Sequence, residues 1–303
     1  MSNSEKPTLP ELLSGAQLPA LPQSAIRLLE LSQDPNNGPP EFAVPIESDP
    51  GLTGQVLRFV NSSYFGFSQE VSSVRLAITL VGVRTIKNFS LWSAVFSLMP
   101  NPKCGDFDLK ALWQDSLRRA LFARALGRQL QIKDPEELFT AALLQDMAVP
   151  LLAKERPDDY VELLNNRDGG RRQLSHLELE RFGWHHGQAA AFIARGWGLP
   201  QTFGQLLETH AESKSWLDDP STSPERAAVG VSSLLPSIID EQWAERVECE
   251  SAYERIAGRC AEPLAAVFAQ VDTDFAEFAP VIKLGTPSCS LVDYLDIGES
   301  VAP

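Results

Sequence analysis

Apolar residues recur three and four positions apart along almost the whole chain, and no stretch keeps strict alternation for long. That spacing lines one face of a helix with about 3.6 residues per turn, whereas a half-buried strand needs a period of two. The chain is therefore predicted to be all-α. The clearest case runs from Asp108 to Leu130, with Leu109, Leu112, Leu117, Leu121, Leu126 and Leu130 on helical spacing. Other predicted helices are a segment N-capped by Ser24 through Leu31, Leu52 to about Asn61, Val74–Val83, Arg84–Met99, Leu138–Ala153, Asp158–Asn166 and Gln173–Phe182. His186–Gly196, Pro200–Glu212, Pro224–Ile239 and Trp243–Phe278 follow. Phe42–Glu47 has strand-like composition, but Pro45 argues against a central strand.

Punctuation divides the chain into a segment 1–17, a helical lobe 18–100, a second lobe 101–284 and a weakly patterned tail 285–303. Asn101-Pro102-Lys103-Cys104-Gly105 marks the lobe boundary. A hydrophobic share of 44% with 22% charged residues excludes a disordered or collagen-like chain. The 26 Lys and Arg against 40 Asp and Glu leave a net charge of −14, which argues against nucleic acid as a partner. Most of that excess lies beyond residue 200, where 18 acidic side chains face 6 basic ones. Cys104, Cys249, Cys260 and Cys289 have no C-x-x-C spacing and read as reduced thiols. The start, MSNSEKPTLPELL, lacks a leader pattern, and the apolar run Ala77–Val83 falls far short of the roughly 20 residues that span a bilayer. A cytoplasmic protein with no membrane contact is expected.

Several short patterns occur in series. Leu18-Pro19-Ala20-Leu21-Pro22 precedes a helix, and Asp49-Pro50-Gly51-Leu52-Thr53 precedes Val56-Leu57-Arg58-Phe59-Val60-Asn61-Ser62 and Tyr64-Phe65-Gly66. Then come Ser73-Val74-Arg75-Leu76-Ala77-Ile78-Thr79-Leu80-Val81-Gly82, Leu112-Trp113-Gln114-Asp115-Ser116 and Ala141-Ala142-Leu143-Leu144-Gln145-Asp146-Met147. His186 and Trp197-Gly198-Leu199-Pro200 complete the series. This order resembles the HDOD family over about residues 18–212, more weakly to about 280. The resemblance implies an HD-like multi-helix fold, with an N-terminal helical lobe packed on an HD-like lobe. It implies a bacterial signal-transduction role without catalysis, on a scaffold related to the metal-dependent HD and HD-GYP phosphohydrolases.

In those relatives, as the resemblance implies, one His, a His-Asp doublet and a distant Asp hold metal. A bound metal lowers the pKa of water so that hydroxide attacks phosphorus. Here Gln114 matches the first His, Gln145 replaces the His of the doublet, and no Asp occurs from Ser221 to Ile239. A neutral amide is a poor replacement for imidazole. Asp146, His186 and His210 remain, and two His with one carboxylate are a known ligand set for Fe, Mn or Zn. The favoured reading is structural, with Asp146 capping or salt-bridged in the core, His186 on a backbone carbonyl and His210 near the surface. No metal and no cofactor are expected.

Arg124 and Arg128, four apart on the long helix, are candidate anion contacts; the alternative is a solvated face paired with acidic residues of the last third. The aromatic loop Tyr64-Phe65-Gly66-Phe67 is either a core anchor or a contact between lobes or with a partner. Trp184, Trp197 and Trp216 are expected in the core.

The leading functional reading is a regulatory protein that acts on an unidentified signalling protein through protein–protein interaction. The second is a sensor of a nucleotide or cyclic dinucleotide in the remnant pocket. The third is a residual metal-dependent phosphohydrolase.

Overall fold

Helix starts follow local capping chemistry. The Asp49 carboxylate accepts from the Leu52 amide at 3.0 Å, with Pro50 in the first helical position. The Ser73 hydroxyl accepts from Leu76 at 3.2 Å, and Asp108 from Lys110 and Ala111 at 2.8 and 3.1 Å. Such contacts satisfy amides that a helix cannot pair internally.

The computed structural model describes residues 8–15, 19–32, 34, 36–219, 221–258 and 262–297. Cys260, most of the segment 1–17 and the last six residues of the tail lie outside the described residues. Among those described the fold is all-helical, as the periodicity predicts, and no helix is long and apolar enough to cross a membrane. The first lobe comprises α1 (Leu9–Gly15), α2 (Gln23–Leu31), α3 (Pro39–Glu47), α4 (Pro50–Val60), α5 (Val74–Val81) and α6 (Val83–Leu98). The second comprises α7 (Leu109–Gln129), α8 (Pro135–Leu144), α9 (Val149–Glu155), α10 (Pro157–Asn165), α11 (Leu174–Phe182) and α12 (His186–Gly196). It continues through α13 (Gln201–Thr209), α14 (Ser213–Leu217), α15 (Pro224–Ser233), α16 (Arg246–Ala257), α17 (Leu264–Phe278) and α18 (Leu291–Ile297).

α7 is the central post, packed against α8, α15 and α17. α6 lies on α8 and joins the lobes. Aromatic side chains fill that junction: Phe59 meets Phe278 with ring centroids 5.2 Å apart, and Phe96 meets Trp113 at 4.6 Å. Tyr64 lies 5.7 Å from Phe278, so the aromatic loop is part of the contact between lobes.

Several boundaries differ from the sequence expectation, each for a local reason. Phe42–Glu47 belongs to a helix, because Pro39 and Pro40 occupy its first turn and Glu41 caps the Gly38 amide at 2.8 Å. Ser24 is not an N-cap; its hydroxyl donates to Asp49, and α2 starts after Pro22. Pro263 breaks the segment expected as one helix from Trp243 to Phe278. Pro224–Ile239 stops at Ser233. The weakly patterned tail contains α18, which docks on α17.

The segment expected to run as one helix from Leu138 to Ala153 is interrupted at Gln145–Ala148. Pro150 lacks an amide hydrogen, and its ring would collide with the carbonyl four residues earlier, which is that of Asp146. The break falls at Gln145 and Asp146, which both line the cleft.

Candidate functional site

Asp146 stands in that break and faces the start of α12 and the end of α13. Gly187 permits this approach: a Cβ there would lie 2.8 Å from the Leu207 carbonyl oxygen. With the two backbones so close, His186 at the start of α12 meets His210 just past α13. Their Nε2 atoms are 3.2 Å apart, and His186 Nε2 is 3.1 Å from Asp146 Oδ1. Donor atoms of Asp146, His186 and His210 all lie within 4.8 Å of one another. The sequence expectation of a superficial His210 is corrected: it is 2% exposed.

The proton positions follow from the partners. Glu178 on α11 is fully buried and accepts from the Tyr160 hydroxyl at 2.5 Å and the His186 amide at 2.8 Å. It also accepts from His186 Nδ1 at 2.7 Å, so that nitrogen carries hydrogen. This corrects the expected backbone-carbonyl partner for His186. His210 Nδ1 donates to the Leu207 carbonyl at 2.7 Å. His186 Nε2 faces Asp146 Oδ1 as well as His210 Nε2, so both ring nitrogens of His186 meet a carboxylate. His186 is therefore an imidazolium: burial opposes the charge, but Glu178 and Asp146 raise its pKa from 6.5 to about 10. His185 is the opposite case. Its Nδ1 accepts from the Gly187 amide at 3.1 Å, and burial, with the nearby His186, His210 and His176, lowers it to about 3.

Arg119 completes the centre. Its guanidinium donates to Asp146 Oδ2. Burial alone would raise the Asp146 carboxyl, yet Arg119 and His186 hold it well below the usual range. The charges of Arg119, Asp146, His186 and Glu178 cancel, so the inner cluster is neutral without any added ion.

Arg119, Asp146, His186 and His210 line one side of a cavity of about 130 Å³ between α7, α12 and the segment after α15. Two sequence assignments on α7 are corrected. Gln114 does not face the cavity; its amide donates to the Gly285 carbonyl. Asp115 does, with Oδ1 accepting from the Ile238 amide at 2.9 Å and Oδ2 from the Ser237 hydroxyl. Burial raises the Asp115 carboxyl, against the opposing pull of Arg119. Arg124 and Arg128 are not at the cleft either, because they sit about 140° and 180° around α7 from Arg119. Arg124 is buried at the lobe junction, 5.1 Å from the Tyr64 ring centre and 3.4 Å from Asp274. Arg128 is exposed beside Glu136. Sequence reading placed Arg119 among the arginines of the long helix without singling it out, yet its spacing of four from Asp115 places both on one helical face.

The HDOD domain profile matches residues 18–213. The chain belongs to the HDOD domain family. An HDOD domain protein of unknown function from Geobacter sulfurreducens has a similar solved structure, with a TM-score of 0.64 at 18% identity, covering 96% of this chain and 91% of that one. A protein from Shewanella amazonensis, provisionally named a phosphohydrolase, gives 0.68 at 19% identity, over 89% and 97% of the two chains. At these identities the likeness concerns the fold. YuxH from Bacillus subtilis is 29% identical over 168 residues, 55% of this chain and 40% of YuxH. A Treponema pallidum protein is 21% identical over 197 residues, 64% of this chain and 37% of its own length. The HDOD chain thus spans about two fifths of the length of the curated relatives it matches. Its helices beyond the matched region belong to the same packed body, since α15 and α17 both lie on α7.

Proposed function

We propose that this HDOD chain is a regulatory module that acts through protein contacts, and that its HD-type centre is closed by its own cations and carries no hydrolytic metal. The observation that carries the reading is the Arg119–Asp146 pair at the position of a ligand carboxylate.

A hydrolytic divalent ion needs several anionic or imidazole donors and an open position for water. Three donors converge here, but one oxygen of the only carboxylate among them is held by a guanidinium. Arginine does not surrender its proton near neutral pH, so an ion cannot displace that charge as it would a proton. The second obstacle is His186, whose Nε2 lone pair is taken by a proton. The third is Gln145, a neutral amide beside the carboxylate. The donor set does not fit a catalytic ion. Membership of the HDOD family supports the regulatory role, and the greater length of the curated relatives supports a module that works alongside other segments.

The test is elemental analysis of the purified chain after incubation with Mn²⁺, Fe²⁺ or Zn²⁺ and dialysis. Far less than one ion per chain is expected, with no hydrolysis of a chromogenic phosphodiester. One tightly held ion per chain, lost in His186→Ala, together with such hydrolysis, would overturn the reading. Arg119→Ala is the companion variant: with the carboxylate freed, it should show a metal-dependent rise in Tm that the parent lacks.

A further inference from the structure

The cavity beside the closed centre has polar atoms that the chain itself does not satisfy. Gln145 is 0% exposed and lines the cavity, yet neither its Oε1 nor its Nε2 has a hydrogen-bond partner. Leaving a buried polar group unpaired costs about 1–3 kcal/mol. The Nε atoms of Arg119 and Arg167, which line the same cavity, are likewise buried and unpartnered. One amide offering a donor and an acceptor side by side, in a cavity with two further donors, is a recognition set for a complementary edge.

Three other observations define what would fit. The volume of about 130 Å³ is close to that of a cavity of about 150 Å³ that takes a single benzene ring. Leu112, Val149 and Leu174 supply apolar wall, and Ile239 at the rim is 52% exposed. The charge at the cavity is acidic: Asp106, Asp108, Asp115, Asp240 and Glu245 line it with Asp146. Its two arginines are already paired, Arg119 with Asp146 and Arg167 with Asp240. Asp240 and Glu245 come from the acidic last third, which the fold brings back to this cleft. An anionic ligand would meet repulsion here.

We infer that the cleft binds an uncharged nucleobase, free or as its nucleoside, through a paired contact to the Gln145 amide. A base has a flat apolar face and a donor next to an acceptor on its edge, and glutamine reads such an edge with two hydrogen bonds. The cavity size and the acidic lining argue against a cyclic dinucleotide. The inference rests on the reading of a centre closed without metal, because an ion held by Asp146 would reorganise this wall. It adds a ligand that would couple the module to its partner.

The experiment is calorimetry of the full chain in EDTA with adenosine, guanosine, cytidine and uridine, then with the 5′-monophosphate and the free base of whichever binds. One nucleoside is expected to bind at millimolar concentration or tighter, and its monophosphate more weakly. The free base separates the two sources: binding equal to that of the nucleoside identifies the base alone as the ligand. Gln145→Leu should weaken binding about tenfold or more, the worth of one paired contact. Its Tm should not fall, because it removes an unsatisfied buried amide. Ile239→Glu, at an exposed position that leaves the core intact, should also weaken binding. No heat with any nucleoside, tighter binding of the monophosphate, or unchanged affinity in both variants would each overturn the inference. Metal content is measured separately, so failure of the metal-free reading is distinguishable from failure of this one.

Discussion

Glu178→Gln isolates the charge on which the centre rests. Glu178 is fully buried and accepts three hydrogen bonds, two of them from His186. Glutamine keeps the shape but removes the charge, and it replaces one acceptor oxygen with a donor NH₂. With its oxygen toward His186 the amide keeps both His186 bonds, and its NH₂ can donate to the Tyr160 hydroxyl. The move of His186 from 6.5 to about 10 corresponds to at most about 5 kcal/mol, at about 1.36 kcal/mol per pKa unit. That figure is shared between Glu178 and Asp146. Removing one partner of a buried pair costs about 3–5 kcal/mol. A loss of about 3 kcal/mol at pH 6 is therefore expected. The pH dependence gives the sharper test. His186 has a folded pKa above its unfolded value, so its stabilisation is complete below about 6.5 and is lost as pH rises through about 10. The parent should lose stability between pH 7 and 10, and the variant less steeply, so the difference between them should shrink with rising pH. Urea denaturation of both proteins at pH 6, 8 and 10 measures this. Parallel pH profiles, or a cost below about 1 kcal/mol at pH 6, would refute the imidazolium assignment.

Four further outcomes are expected. Asp146→Asn should flatten the acid limb of the stability profile. The carboxylate pKa is depressed on folding, so its stabilisation is present above about 3.8 and lost as pH falls; acid titration followed by circular dichroism would show no change if the Arg119 pair is unimportant. Gly187→Ala should push α12 from α13, because the new Cβ meets a backbone oxygen at 2.8 Å; the cost is about 1–3 kcal/mol in urea, and an unchanged midpoint would contradict the close approach. Gly230→Ala should cost at least as much, since its Cβ would fall 2.3 Å from Trp216 Cε2, and normal Trp216 fluorescence and stability would count against that packing. Trp197→Phe removes the hydrogen bond from its indole to the Pro19 carbonyl at 2.9 Å; about 0.5–1.5 kcal/mol should be lost, and equal Tm values for both proteins would mean that the contact does not hold the N-terminal segment.

The three histidines near the centre are chemically distinct although two are adjacent in sequence. His185 is a neutral cap that accepts from an amide, His186 is a cation between two carboxylates, and His210 donates from Nδ1 to the Leu207 carbonyl with its Nε2 toward His186. The charge on His186 is held between the carboxylates of Glu178 and Asp146. Beside Asp146, Gln145 offers a neutral amide and Arg119 supplies a cation fixed to the chain.

What the sequence determined by itself is what local chemistry controls. Helical periodicity carried the all-α class, and the caps that start α4, α5 and α7 at Asp49, Ser73 and Asp108 are equally local, because each contacts amides only two or three residues away. The serial motifs carried the family. The break at Asp146 was also written locally, in Pro150. What only the tertiary structure decided involves residues far apart along the chain. Arg119 and Asp146 are separated by 27 residues and His186 and His210 by 24, and their contact depends on how α7, α12 and α13 cross. Glu178 was anonymous in the sequence because a buried carboxylate and a solvated one are written with the same residue. Arg119 and Arg124 were indistinguishable there for the same reason: the side of α7 that each occupies has meaning only once α8, α15 and α17 have packed around it, because burial and charge pairing are properties of neighbours in space.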